Sequence, residues 1–229
     1  MKLKVLLTGA TGMVGEGVLH ECLQHEQVEK ILVINRRSCG VQHPKLEEII
    51  HEDFFDINPI ADQLAGYTTC LFCLGVSSVG MKESDYHRLT YTLTLSFAET
   101  VVKKNPAMVF CYISGRGTDS TEKGRLMWAR VKGKTENDLM TLPFKNVYAF
   151  RPGYMHPTKG LKNTLKGYKY LGWLYPFLRV FFPKSVSTLK ELGLAMIRVG
   201  LNGYSKNIIE VKDIVQLARE NIAASVPTK

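Results

Sequence analysis

The feature that most constrains this chain is a glycine loop. Thr8-Gly9-Ala10-Thr11-Gly12-Met13-Val14-Gly15 follows the apolar run Leu3 to Thr8 directly and opens an amphipathic stretch from Gly12 to His25. Glycines three apart let the backbone turn tightly, bring it close to a pyrophosphate and pack the helix against the strand. The helix N-terminus adds unpaired N–H donors and a positive dipole end. Turn glycines alone are common. The strand before, the helix after and the place at the start of a βαβ unit supply the context that dinucleotide binding demands. Gly9, Thr11, Gly12, Met13, Val14 and Gly15 are therefore candidate cofactor residues.

Further strands are predicted at Lys30 to Asn35, Glu48 to His51, Thr69 to Leu74, Met108 to Ile113 and Val147 to Phe150. Helices are expected between them at Glu83 to Lys104, Thr121 to Met140 and Thr188 to Leu201, the second with a start marked by Asp119 and Glu122 at capping-box spacing. Apolar strands alternating with helices predict a Rossmann-type α/β fold, a doubly wound parallel sheet covered on both faces. With 229 residues, no linker and no repeat, one domain over 1–229 is expected, with 151–229 supplying most of a substrate-side cap.

A composition of 45% hydrophobic and 22% charged residues excludes disordered, collagenous and disulfide-scaffold classes. No apolar run approaches the roughly 18 residues of a membrane span, and the N-terminal apolar core is too short for a secretory signal. Five cysteines without framework spacing suit a reducing compartment, so a cytoplasmic protein is expected.

Charge is uneven along the chain. Residues 1–115 carry ten basic and thirteen acidic side chains, whereas 116–229 carry twenty and eight. No carboxylate lies between Asp138 and Glu191, a stretch with nine Lys or Arg residues. Such a field draws in anions or simply keeps the surface solvated. Without a reading motif, and with an acidic first half, nucleic acid is not an expected partner.

The Gly-x-x-Gly-x-x-Gly spacing resembles the short-chain dehydrogenase/reductase superfamily, particularly extended and atypical members such as the NAD-dependent epimerase/dehydratase family. In that fold the second strand of an NAD-specific site ends in an acidic residue for the ribose hydroxyls. Here it ends in Asn35-Arg36-Arg37, which suits a 2′-phosphate, so NADP(H) is expected to be preferred over NAD(H). Asp53-Phe54 resembles the superfamily's adenine-contacting segment. Leu74-Gly75 ends the fourth strand where the chain passes the adenosine ribose and pyrophosphate.

The resemblance also implies a serine after the fifth strand and a Tyr-x-x-x-Lys pair on the next helix. Ser114 and Lys132 hold two of these places, and Trp128 holds the tyrosine's. Indole N–H only donates, so it cannot shuttle a proton at neutral pH. The segments 114–120 and 127–136 resemble small bacterial epimerase-like proteins related to the Tat-interacting-protein oxidoreductases, over nearly the whole chain. Arg151-Pro152-Gly153-Tyr154 is similar to the family's loop beside the nicotinamide; Lys132, Arg151, Pro152 and Gly153 join the cofactor candidates. Tyr86, Tyr91, Tyr112 and Tyr154 are the phenols considered as replacements, and Tyr154 is favoured.

Cys70 and Cys73 mimic a redox pair, but residues three apart on a strand face opposite ways, which makes them core thiols. His20, Cys22 and His25 diverge around their helix, so no metal is expected. The aromatic stretch Leu171 to Pro183 reads as core or lid packing, with peripheral membrane contact or a homodimer interface as the alternatives. The reading is an NADP(H)-binding oxidoreductase or epimerase-like protein acting on a small, unidentified substrate, with a non-catalytic NADP(H)-binding or redox-sensing module as the alternative.

Overall fold

The computed structural model describes residues 2–164 and 174–220. Strand β1 (Leu3–Thr8) leads through the glycine loop into helix α1 (Met13–Gln24), followed by β2 (Val28–Asn35), β3 (Leu46–Ile50), a 3-10 helix at Asn58–Leu64 and β4 (Thr69–Phe72). Helices α2 (Glu83–His87) and α3 (Leu93–Lys104) are joined without a break by a π turn at Arg88–Thr92. Then come β5 (Val109–Ile113), α4 (Met127–Leu139), β6 (Asn146–Arg151), β7 (Tyr154–His156), α5 (Tyr175–Phe181) and β8 (Val186–Thr188). The described part closes with α6 (Leu189–Asn202), β9 (Ile208–Glu210) and α7 (Val211–Arg219).

Among the described residues, seven strands form one sheet in the order β3-β2-β1-β4-β5-β6-β9, parallel throughout. This is the doubly wound Rossmann arrangement expected from the sequence. The order reverses between β1 and β4, and a crevice opens there at the carboxyl ends of the strands. Each face carries its own core. One packs Val5, Leu7, Val33 and Leu71 under α1, α6 and α7; the other packs Leu6, Ile34, Phe72 and Phe110 under Phe97 and Val101 of α3. The i, i+2 alternation along β1 produces this two-sided burial.

Residues Leu189–Arg219 narrow the expected cap. They form a layer of the sandwich and its edge strand, because α6 carries an apolar stripe with Leu192, Ala195, Met196 and Val199 fully buried. Helix α6 begins with a capping box, in which Thr188 Oγ1 accepts from the Glu191 N–H and Glu191 accepts from the Thr188 N–H, and it stops at Gly203, whose φ is +70°.

The start of α4 differs from the expectation. The Asp119 carboxylate accepts from the N–H groups of Thr121 and Gly124 at 3.0 and 2.6 Å, folding 119–124 as a turn, and the helix begins only at Met127. That turn crosses α4 closely: a Cβ at Gly133 would sit 1.8 Å from the Asp119 carbonyl oxygen. Among the described residues no helix is long and apolar enough to cross a membrane.

Candidate functional site

The glycine loop does different work at each glycine. Gly9 has φ +75°, and a Cβ there would lie 2.7 Å from the Cys73 carbonyl oxygen at the end of β4. Gly15 presses α1 onto the loop, with a Cβ position 2.1 Å from the Gly9 carbonyl oxygen. Gly12, the N-cap, is exposed and a Cβ would meet only that same oxygen, at 3.5 Å. The first two glycines are therefore demanded by the fold itself. The third keeps the helix N-terminus open to the crevice, a cradle that a side chain would fill, and this fits a pyrophosphate.

Beyond the end of β4 lies a cavity of about 300 Å³ lined by Arg36, Asp53, Phe54, Phe55, Leu74 and Gly75, with Leu89 and Leu93 also on its wall. It brings together the basic turn after β2 and the segment after β3, as expected. Glu48 arranges that turn by accepting from the Asn35 amide at 3.0 Å, the Ser38 hydroxyl at 2.6 Å and the Cys39 N–H at 2.8 Å. Burial alone would raise Glu48, but these hydrogen bonds together hold it below the usual carboxylate range. Arg36 is exposed and forms no ion pair among the described residues, whereas Arg37, also exposed, does not line the cavity. The Phe54 ring stacks on Phe97 and belongs to the core.

A second cavity, of about 520 Å³, lies beyond the ends of β5 and β6. Gly115, Arg116, Trp128, Pro152, Gly153 and Tyr154 form one side, and Leu178, Phe182, Ser185 and Val186 the other. Two backbone bonds continue the β5–β6 pairing into the loops: Ser114 N–H to Phe150 O at 2.8 Å and Arg116 N–H to Pro152 O at 2.9 Å. The Trp128 indole covers Gly115 and Gly117; a Cβ at Gly117 would touch it at 3.5 Å. Tyr154 is held by its N–H to the Ser185 carbonyl, an approach so close that a Cβ on Gly153 would lie 2.2 Å from that oxygen.

Lys132 follows Trp128 by one turn on the same face of α4, and its ammonium donates to the main-chain oxygens of Ser114 at 2.6 Å and Ile113 at 3.4 Å. Burial brings its pKa down to about 8, partly opposed by Glu136. The Ser114 side chain is buried and turned inward, where its hydroxyl donates to Glu136 and lies 2.9 Å from the Thr118 hydroxyl. Glu136, with 1% of its surface exposed, takes two bonds from Arg151, from Nε at 3.0 Å and from a terminal nitrogen at 2.5 Å. Arg151 also reaches Ser120 and, across the β6–β9 register, Glu210. Its guanidinium is thus committed to the interior, which corrects its expected place among cofactor ligands; Pro152 and Gly153 do line the cavity.

Of the four phenols considered, Tyr86 and Tyr112 are buried, and burial pushes both phenols up. The Tyr91 hydroxyl donates to Asp138 at 2.7 Å on the outer face of α3 and α4. Only Tyr154 among them lies on the cavity with Trp128. Within the aromatic stretch, residues 171–173 lie outside the described residues. The rest is not core: Leu178 and Phe182 reach the cavity, while Phe177, Val180 and Phe181 are exposed. Arg179 fastens α5 to Glu191 by two bonds and to the Val186 carbonyl. Cys70 and Cys73 belong to opposite cores, and burial pushes both thiols well up. Among the described residues no three His, Cys, Asp or Glu side chains are placed to hold a metal.

Sequence reasoning gave Glu136 and Arg116 no role. Glu136 follows Lys132 by four residues, which placed it on the functional face of α4, but its partner Arg151 is visible only in three dimensions.

A family model described as "NAD dependent epimerase/dehydratase family" matches residues 5–124. Protein HTATIP2 of Rattus norvegicus is 26% identical over 153 residues, which cover 66% of this chain and 62% of that protein. Protein FMP52, mitochondrial, of Candida albicans is 23% identical over 234 residues, covering 94% of this chain and 98% of its own length. A short chain dehydrogenase from Burkholderia cenocepacia, solved in complex with NADP, superposes with a TM-score of 0.64 at 13% identity and covers 94% of this chain and 92% of its own, a likeness of fold alone. The cytoplasmic expectation is overturned here, because the FMP52 relatives are named mitochondrial proteins. Unpaired thiols mark a reducing compartment and do not tell the cytosol from the mitochondrial interior.

Proposed function

Because the chain belongs to the NAD dependent epimerase/dehydratase family, we propose that it is an NADP(H)-binding oxidoreductase or epimerase-like protein with a preference for NADP(H) over NAD(H). The carrying observation is Arg36: a guanidinium without an ion pair among the described residues, on the wall of the adenosine-side cavity, after a strand that ends in a neutral Asn35 already engaged with Glu48. A 2′-phosphate takes such a guanidinium by charge-assisted bonds worth roughly 1.5–3 kcal/mol, about ten- to a hundredfold in affinity.

Gly9, Gly12 and the first N–H groups of α1 would hold the pyrophosphate, and Lys132 the ribose next to the nicotinamide. When bound, the dinucleotide supplies hydride transfer. On the protein side, Trp128 and Tyr154 line the cavity, and Lys132 carries a titratable proton near neutrality. A paired calorimetric titration with NADPH and NADH tests the reading. NADPH should bind at least tenfold more tightly, and Arg36→Asp should erase that difference. Equal affinities in the wild type would refute the preference.

Two observations favour a second reading, a non-catalytic NADP(H)-binding or redox-sensing module. Trp128 stands in the phenol position, and the Ser114 hydroxyl is spent on Glu136. Substrate-dependent NADPH oxidation by the wild type, lost in Lys132→Ala, would exclude it.

A further inference from the structure

We propose that the cavity between Trp128 and α5 binds a flat, largely apolar compound carrying a single carboxylate, an aromatic or conjugated acid rather than a nucleotide sugar. The inference deepens the oxidoreductase reading above by naming the class of molecule that occupies the site next to the cofactor. Three aromatic side chains, Trp128, Tyr154 and Phe182, line a space of about 520 Å³ together with Leu178 and Val186. Such walls favour a planar ligand through burial and ring stacking. Gly115 and Gly117 leave room for the Trp128 indole, whose ring atoms lie 3.9 and 3.5 Å from where their Cβ atoms would be. A tyrosine at 128 would present a smaller face, so the exchange that removes an acid–base group also enlarges a stacking platform.

Charge narrows the class further. Among the described residues the lining contains no Asp or Glu, and its one cation is Arg116. Arg116 is fixed in place by its N–H bond to the Pro152 carbonyl, yet its guanidinium is exposed and without an ion pair or hydrogen bond among the described residues. The arginines on the elements around it are engaged elsewhere: Arg130 with Glu83, Arg151 with Glu136 and Arg179 with Glu191. One planar, always-charged fork matches one carboxylate in two-bond geometry. A diphosphate would bring two or more charges to a wall that offers a single cation among the described residues.

The test is calorimetric titration of the full chain with 4-carboxybenzaldehyde, benzaldehyde and UDP-glucose, each with and without saturating NADPH. The carboxylated aldehyde should bind, at least tenfold tighter than benzaldehyde. Arg116→Ala should remove that advantage and leave benzaldehyde unchanged, and Trp128→Leu should weaken both aldehydes severalfold. Tighter binding of UDP-glucose, no binding of the carboxylated aldehyde, or an Arg116→Ala variant that binds it as the wild type does would each overturn the proposal. Because Arg116 is exposed, its truncation leaves the core intact. Failure of the cofactor reading would register separately, as no heat with NADPH alone, while the aldehyde titrations without cofactor still report on the cavity.

Discussion

The Ser114 hydroxyl donates a hydrogen bond to Glu136, and Glu136 is in turn clamped by Arg151, so the residue at the end of β5 is tied through a helix side chain to the end of β6. A buried carboxylate of this kind is stable only with its partners in place. Glu136→Gln should cost about 2–4 kcal/mol, since it leaves the Arg151 charge with Glu210 as its remaining acidic partner. Removing both charges, as Glu136→Gln with Arg151→Met, should cost less than the two single changes added together. Urea melts of the four proteins give the coupling directly, and strict additivity would mean that the pair does not act as a unit.

Lys132 sets a pH window. Its pKa falls from 10.5 in the unfolded chain to about 8 in the fold, so between these values the unfolded chain binds a proton that the folded one releases, and stability rises with pH. Below pH 8 both forms are protonated and the full cost of burying the charge remains. Lys132→Met should therefore be most favourable relative to wild type near neutrality and lose about 1–2 kcal/mol of that advantage between pH 7.5 and 9.5. Parallel stability curves for the two proteins across that range would contradict the burial of the ammonium.

The glycines of the loop should separate folding from binding. Gly15→Ala forces a methyl to within 2.1 Å of a main-chain oxygen, so a loss of more than about 2 kcal/mol is expected. Gly12→Ala has room and should stay within about 1 kcal/mol of the wild type while losing tenfold or more in NADPH affinity. Thermal melts with a cofactor titration on each variant check both expectations; equal stability of the two variants would contradict the geometry.

Arg179 is the fastening of α5. Arg179→Ala removes both bonds to Glu191 and the bond to the Val186 carbonyl. Hydrogen exchange over 175–182 should quicken at least tenfold, while the global stability falls by only about 1 kcal/mol, because the pair is partly solvated. An unchanged exchange rate would show that the helix is held by its apolar contacts alone.

Much of this architecture is written locally. The apolar strands, the glycine loop and the basic turn after β2 are consecutive residues whose chemistry needs no distant partner, and a parallel sheet covered on both faces follows from the alternation of strands with helices. Elements fixed by tertiary contact were hidden. Strands β7, β8 and β9 have three residues each, too few to show a period. Asp119 and Glu122 have capping-box spacing, yet Asp119 caps a turn, because the chain must first cross Gly133; Thr188 and Glu191 carry the same signature and do start a helix. Helix α7 was missed as well, although Val211, Ile214 and Leu217 stand at three-residue spacing and are all buried. The Glu136–Arg151 clamp was not legible either, since its members stand fifteen residues apart on two different elements, a helix and a strand.

Helix α6 lies against α1, where Leu189 meets Gly17 and Gly193 leaves room for the Glu21 side chain. Helix α1 is synthesised long before α6, so the apolar side of α1 stays uncovered until residue 202 has followed. During synthesis the glycine loop and α1 therefore wait for the layer that covers them, and the crevice is complete only when α6 has packed against α1.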